Sequence, residues 1–134
     1  MFYALDENLW MFQAIWKFIC GFGYAFRGIW ILIRSQRNAQ VHCLAVVVVA
    51  IAGWLLEISA NEWLAVILIS VIVLALEAVN TAIESVVDLV SPSYHPLAGR
   101  AKDVAAGAVL IAAIGALLIA AIIVWPRLAH LIAS

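Results

Sequence analysis

From Val104 to Trp125 the chain runs 22 residues without one charged side chain. At about 1.5 Å per residue, a helix of that length crosses the ~30 Å hydrocarbon core of a bilayer. Only helices and closed barrels satisfy their own backbone groups in lipid, and a run this long and continuous is no barrel strand. Two more apolar runs precede it. One covers residues 41–58, and its uninterrupted apolar core, Cys43–Leu56, is 14 residues long, with His42 and Glu57 able to reach the interface on either side. The other covers residues 63–90, opens WLAVILISVIVLAL and then takes on polar groups. Charged residues make up 11% of the chain, against about a quarter in a soluble domain, too few to coat a globule. The expected fold is therefore an all-α membrane protein with three transmembrane helices, 41–58, 63–90 and 104–125, in one domain of 134 residues.

Residues 9–35 read as a fourth helix of another kind. Trp10, Phe12, Trp16, Phe18, Phe22, Phe26 and Trp30 crowd it, yet Lys17, Tyr24, Arg27 and Arg34 recur at offsets of seven, three and seven. That spacing keeps one helical face polar. A basic, Trp-rich amphipathic helix suits the membrane interface. Met1–Asn8 carries Asp6 and Glu7 and no basic residue, unlike the positive opening of a secretory signal, so no cleavage is expected.

The basic residues set the orientation. Lys17, Arg27, Arg34 and Arg37 precede the first span, and Arg100 and Lys102 lie between the second and third. Six of the seven Lys and Arg residues thus share one side, which the positive-inside rule makes cytoplasmic, and Arg127 is the exception. The third span is rich in alanine and glycine, which let helix backbones approach closely. Three spans bury little within one chain, so an oligomer is expected.

The second span carries Glu77, Asn80, Glu84 and Asp88 at offsets of three, four and four, on one helical face. A membrane carboxylate costs at least about 2.5–3.5 kcal/mol on insertion scales and is functional by default. The interiors of the other spans offer no cation to explain three of them. Glu77 lies deepest, and a desolvated carboxylate can accept a proton near neutral pH. Glu84 lies nearer the interface, where a hydrated divalent ion can reach it, and Asn80 between them can orient either. Asp88 reads equally as an ordinary interfacial charge. In the loop Ser91–Asp103, Arg100 and Lys102 can hold phosphate oxygens. Asp103, at the start of the third span, can cap that helix or hold a metal or a nucleotide hydroxyl. His95 reads as a base, a ligand, a hydrogen-bond donor or none of these. No GxxxxGK[ST], kinase glycine loop, HExxH or GxSxG occurs. Cys20 and Cys43 form no metal or redox motif and read as small apolar side chains. With a net charge of −1, nothing suggests nucleic acid.

Glu77–Asp88, written E-x-x-N-T-A-I-E-x-x-V-D, followed by Y-H-x-L-A-G-R-A-K-D at Tyr94–Asp103, resembles the prokaryotic diacylglycerol kinase family, which includes undecaprenol kinases. The likeness covers about residues 17–125. R-N-A-x-x-H at Arg37–His42 and A-A-G-A-V at Ala105–Val109 are similar to the undecaprenol branch. The resemblance implies a homotrimer in the bacterial inner membrane, with composite active sites facing the cytoplasm. It implies transfer of the γ-phosphate of ATP, with Mg²⁺, to the hydroxyl of a membrane lipid alcohol. Carried over by motif position, Glu77 resembles the catalytic base and Asn80 its partner, while Glu84 resembles a metal ligand that also meets the nucleotide. Lys17, Tyr24, Tyr94, His95, Lys102 and Asp103 resemble the nucleotide site, and Glu77 and Ala106 the positions facing the lipid.

One position departs from the family. Just before the R-N dipeptide the family usually has a second metal-binding glutamate, and here stands Gln36. An amide oxygen ligates Mg²⁺ without the charge that hard cations prefer. Gln36 therefore implies weaker metal binding, an engineered change that traps nucleotide, or a natural variant of reduced activity. Two rival functions accompany the kinase reading: a silent lipid- and nucleotide-binding relative, and a small ion-conducting or transport oligomer. The second is disfavoured because polar groups do not run through the full depth of the spans.

Overall fold

The computed structural model describes residues 3–133, with side chains from Trp10 to Ala129 and at Ala133. The acidic stretch Met1–Asn8 thus lies wholly outside the described side chains, and Met1, Phe2 and Ser134 outside the described backbone. Four helices make up the chain: α1 Tyr3–Ser35, α2 Arg37–Leu55, α3 Ala60–Val90 and α4 Pro96–Ala133. They fall into two units, Met1–Ser35 and Gln36–Ser134.

The first unit is α1 alone. Phe18 and Phe22, one turn apart, meet edge to face at 5.1 Å. The Arg34 guanidinium lies 5.9 Å from the Trp30 ring centre. Arg34 also stands in the last turn, where a cation suits the negative end of the helix dipole. By length and composition alone, all four helices qualify as candidate spans. What sets α1 apart is its polar face of Lys17, Tyr24 and Arg27.

The second unit is a three-helix antiparallel assembly in which α3 packs on both α4 and α2. The inward stripe of α3 is Val66, Val73, Glu77 and Asn80, all buried. Facing it, α4 buries Ala105, Val109, Ala112 and Ile123. Small residues bring these helices close: a Cβ at Gly115 would sit 3.8 Å from Ile69 Cδ1. The outward faces stay apolar and exposed, as at Leu44, Ile51, Leu68, Leu110 and Leu118, which is the solution for lipid rather than water. The α3 hydroxyls donate back to carbonyls four residues earlier, Ser70 to Val66, Thr81 to Glu77 and Ser85 to Thr81, and so need no partner elsewhere.

The end where α2 meets α3 is tightly tied. Glu57 takes φ 48, a left-handed conformation that a non-glycine residue seldom adopts, and so reverses the chain. Ser59 then caps α3 in a capping box with Glu62. Ile58, Val66 and Ile123 form a small core beneath, with Trp63 and Ile119 against it. Across it, Arg127 of α4 donates from Nη1 and Nη2 to the two oxygens of Glu62, each at 2.8 Å, and from Nε to the Leu56 carbonyl at 3.2 Å.

The helices outrun the apolar segments read from the sequence. α4 starts at Pro96, not Val104, and α3 at Ala60, not Trp63, whereas α2 closes at Leu55 rather than Ile58. A helix needs only its backbone bonds to continue into water, so its ends are set by caps and turns rather than by hydropathy. Of the alternatives read for Asp103, a helix cap or a ligand to metal or nucleotide, the cap is corrected accordingly. Asp103 lies inside α4, and it is His95 Nδ1 that accepts from the Leu97 backbone N–H at 3.2 Å, with Pro96 as the first helical residue.

Candidate active site

The acidic face of α3 divides by depth as its spacing predicts. Glu77 is 2% exposed and Asn80 4%, on the inward stripe below Val73. Glu84 is half-buried one turn farther along, and Asp88 is exposed. Asn80 Nδ2 donates to Glu84 Oε1 at 3.0 Å. A carboxylate can only accept, so this bond fixes which end of the amide faces Glu84. The other end, Asn80 Oδ1, is buried and has no partner among the described residues. An orphan buried acceptor costs about 1–3 kcal/mol. It is the polar atom here whose burial only a further molecule, substrate or water, would justify.

A second polar cluster stands at the same end of the unit. Lys102 of α4 reaches Asp88 of α3 at 2.6 Å, which accounts for Asp88 as one half of an interfacial ion pair. Tyr94 and His95, between α3 and α4, are exposed, as are Asp103 and Ala106 on α4. The loop Ser91–His95 thus opens to solvent beside the Lys102–Asp88 pair. Lys17 and Tyr24 belong to α1 and are exposed there.

Gln36 occupies the N-cap position of α2 in an extended conformation, and its side chain makes no capping bond. Among the described residues no three His, Cys, Asp or Glu side chains gather as a metal cage. A Mg²⁺ site needs no such cage, because Mg²⁺ keeps several waters and is commonly held by one or two carboxylates together with substrate phosphates. Glu84, with one oxygen engaged by Asn80, is the carboxylate so disposed.

Sequence reasoning missed one neighbour of the site. His42 of α2, expected to reach the interface, is half-buried and lines a cavity together with Val73, one turn before Glu77 on the inward stripe of α3. The signal lay in the R-N-A-x-x-H run, but periodicity within one helix cannot say what a second helix places opposite it.

These features define an integral membrane protein of packed helices with a buried carboxylate–amide pair and, at the same end, a solvent-open loop beside the Lys102–Asp88 pair. Comparison of the sequence narrows the class. The model of the prokaryotic diacylglycerol kinase family matches residues 23–124, and the chain belongs to that family of lipid kinases. An undecaprenol kinase of Bacillus subtilis is 44% identical over 84% of this chain and 91% of its own. A diacylglycerol kinase of Synechocystis is 42% identical over 95% of this chain and 72% of its own. A diacylglycerol kinase of Escherichia coli is 38% identical over 77% of this chain and 84% of its own.

Proposed function

We propose that this chain transfers the γ-phosphate of ATP to the hydroxyl of a membrane lipid alcohol, with undecaprenol favoured over diacylglycerol. The observation that carries the reading is the buried Glu77–Asn80 pair with its unpartnered Oδ1. Glu77 takes the proton of the lipid hydroxyl as its oxygen attacks the phosphorus. Asn80 holds Glu84 and leaves Oδ1 free for the acceptor region. Lys102, released from Asp88, meets the phosphates, while Tyr94, His95 and Asp103 line the nucleotide's side of the same opening; Lys17 and Tyr24 are further nucleotide contacts by motif position alone. Ala106, small and exposed, leaves room for the lipid. Mg²⁺ held by Glu84, with Gln36 near, would supply charge screening for the phosphates. Such transfer depends on positioning and electrostatics rather than covalent help.

The reading includes an arrangement. Residues 1–134 act as one lipid-kinase domain, α2, α3 and α4 span the bilayer, and α1 lies at the interface. The basic end faces the cytoplasm of a bacterial inner membrane, and three copies assemble to complete the site. Support comes from the distribution of Lys and Arg and from the large apolar surface left exposed on one chain. Undecaprenol is favoured by the R-N-A-x-x-H and A-A-G-A-V runs and by the relative of that name.

The deciding experiment gives purified protein radiolabelled ATP, with undecaprenol or diacylglycerol in mixed micelles. Labelled lipid phosphate in a Mg²⁺-dependent reaction is expected, more with undecaprenol. Preference for diacylglycerol would reverse the acceptor, and label in neither lipid would overturn the reading. Ion flux through liposomes without ATP consumption would favour the transport alternative.

A further inference from the structure

The side chains that best cap a helix start, Ser, Thr, Asp and Asn, all keep an acceptor oxygen through neutral pH. α3 follows that rule with the Ser59 hydroxyl, which accepts from the Glu62 backbone N–H. α4 does not. Its first residue is Pro96, and the residue before it, His95, supplies both halves of a cap. The His95 carbonyl accepts from the Gly99 N–H at 3.1 Å, and His95 Nδ1 accepts from the Leu97 N–H at 3.2 Å. Pro96 has no N–H. Leu97 therefore carries the first backbone donor of the helix, and the imidazole satisfies it.

That bond fixes the chemistry of the ring. A nitrogen that accepts carries no proton, so in the neutral ring the proton sits on Nε2. The sequence left His95 open as base, ligand, donor or none of these. With the lone pair of Nδ1 engaged by Leu97, the capping ring keeps the role of donor, through Nε2.

Protonation removes the cap. Imidazolium donates from both nitrogens and accepts at neither. It also sets a positive charge at the positive end of the helix dipole, so both effects push the same way. The surroundings supply no opposing charge along the groove that His95 lines, where its companions are Val86, Val87, Val90, Ser91, Leu97 and Ala98. Of the charged groups at this end, Asp88 of α3 is paired with Lys102 of α4 at 2.6 Å, and Glu84 of α3 accepts from Asn80. Arg100 and Asp103 lie farther along α4, and the neighbouring Tyr94 is exposed.

We propose that His95 makes the start of α4 pH-sensitive: the neutral ring caps the helix through Nδ1, and imidazolium releases the first turn, Pro96–Gly99. Imidazole changes charge between about pH 5 and 8, so the turn is held above that range and loosened below it. The Ser59 cap of α3 does not respond. The turn adjoins the loop Ser91–His95 that the proposed function gives to the nucleotide, so acid loosens one wall of that opening. The cap itself depends neither on Glu77 nor on the identity of the acceptor.

The test is a nuclear magnetic resonance titration of full-length, ¹⁵N-labelled protein in detergent micelles, as wild type, His95→Ala and His95→Asn, over about pH 5 to 8. At the alkaline end the His95 ring should carry its proton on Nε2, with Nδ1 unprotonated and hydrogen-bonded. Protection of the Leu97 N–H against exchange, corrected for the intrinsic rate, should fall roughly tenfold as the ring titrates. His95→Ala should show the low protection at every pH. His95→Asn, whose amide oxygen is a good cap, should keep the high protection at every pH. The Glu62 N–H, capped by Ser59, is the internal control and should hold throughout. A neutral ring with its proton on Nδ1 overturns the proposal. So does Leu97 protection that ignores the titration of the ring, or a His95→Asn protein as unprotected as His95→Ala. If the variants misfold, the wild-type titration decides alone, because the ring signals and the Leu97 exchange need no substitution. Lipid phosphorylation is not read, so failure of the kinase reading would leave this result standing.

Discussion

The two ends of the three-helix unit treat carboxylates in opposite ways. At the end where α2 turns into α3, every oxygen of Glu62 is taken. Oε1 accepts from Arg127, and Oε2 accepts from Arg127, from the Ser59 backbone N–H at 2.7 Å and from the Ser59 hydroxyl at 2.8 Å. At the other end Glu77 is buried deeper, yet its neighbour Asn80 keeps an oxygen without a partner. Folding alone accounts for the first arrangement, because each polar group there is repaid locally. It does not account for the second. A buried polar group left open is a standing cost, and such sites persist where a substrate completes them.

That contrast can be broken from either side. The largest effect belongs to Glu77→Gln. It removes the base and keeps the shape, so lipid phosphorylation should fall by roughly 10²–10⁴-fold. Nucleotide binding, followed by fluorescence of an ATP analogue, should change little, and undiminished turnover would end the assignment. Next comes Gln36→Glu, which adds a charged oxygen where the family usually has one. The Mg²⁺ concentration for half-maximal rate should drop by about tenfold, or roughly 1.4 kcal/mol of metal binding. A magnesium titration of both proteins checks this, and superimposable curves would mean that Gln36 does not limit the site.

The tied end responds in stability rather than in rate. A methyl at Gly53 would lie 2.9 Å from Ile58 Cδ1 and 3.0–3.1 Å from the Trp63 ring. Both side chains must give by a few tenths of an ångström, so Gly53→Ala should cost about 1–2 kcal/mol, at the lower part of the overpacking range. Unfolding in mixed detergent micelles measures it, with kcat of the surviving folded protein close to wild type. The smallest effect is expected at the exposed pair. Asp88→Asn frees Lys102 but, as a surface ion pair, should change stability by no more than about 1 kcal/mol. A large loss would show that the Lys102–Asp88 contact organises the loop.

Much of this was legible in the chain. The apolar runs announced the helices of the second unit, and offsets of three and four put Glu77, Asn80 and Glu84 on one face. Helix ends were less legible, because hydropathy stops where lipid stops and a helix does not. Pro96, a favourable first residue, marked the true start of α4 more faithfully than the last charge at Asp103. Partners from other helices were not legible at all. The sequence presents Arg127 as a lone exception to the charge pattern and His42 as an interfacial flank. The partner of Arg127, Glu62, and the cavity that His42 shares with Val73 are set by how antiparallel helices register, which no single-helix period encodes.

The Arg127–Glu62 pair also bears on how such a chain is built. The two residues are 65 positions apart, and α4 follows α3 along the chain. In the proposed three-span arrangement, its far end carries a guanidinium to the side opposite the other basic residues. Glu62 is made earlier and stands where that guanidinium arrives. In that arrangement the packing of α4 on α3 is what gives the Arg127 charge its partner, so the packed pair, rather than either segment alone, accommodates it.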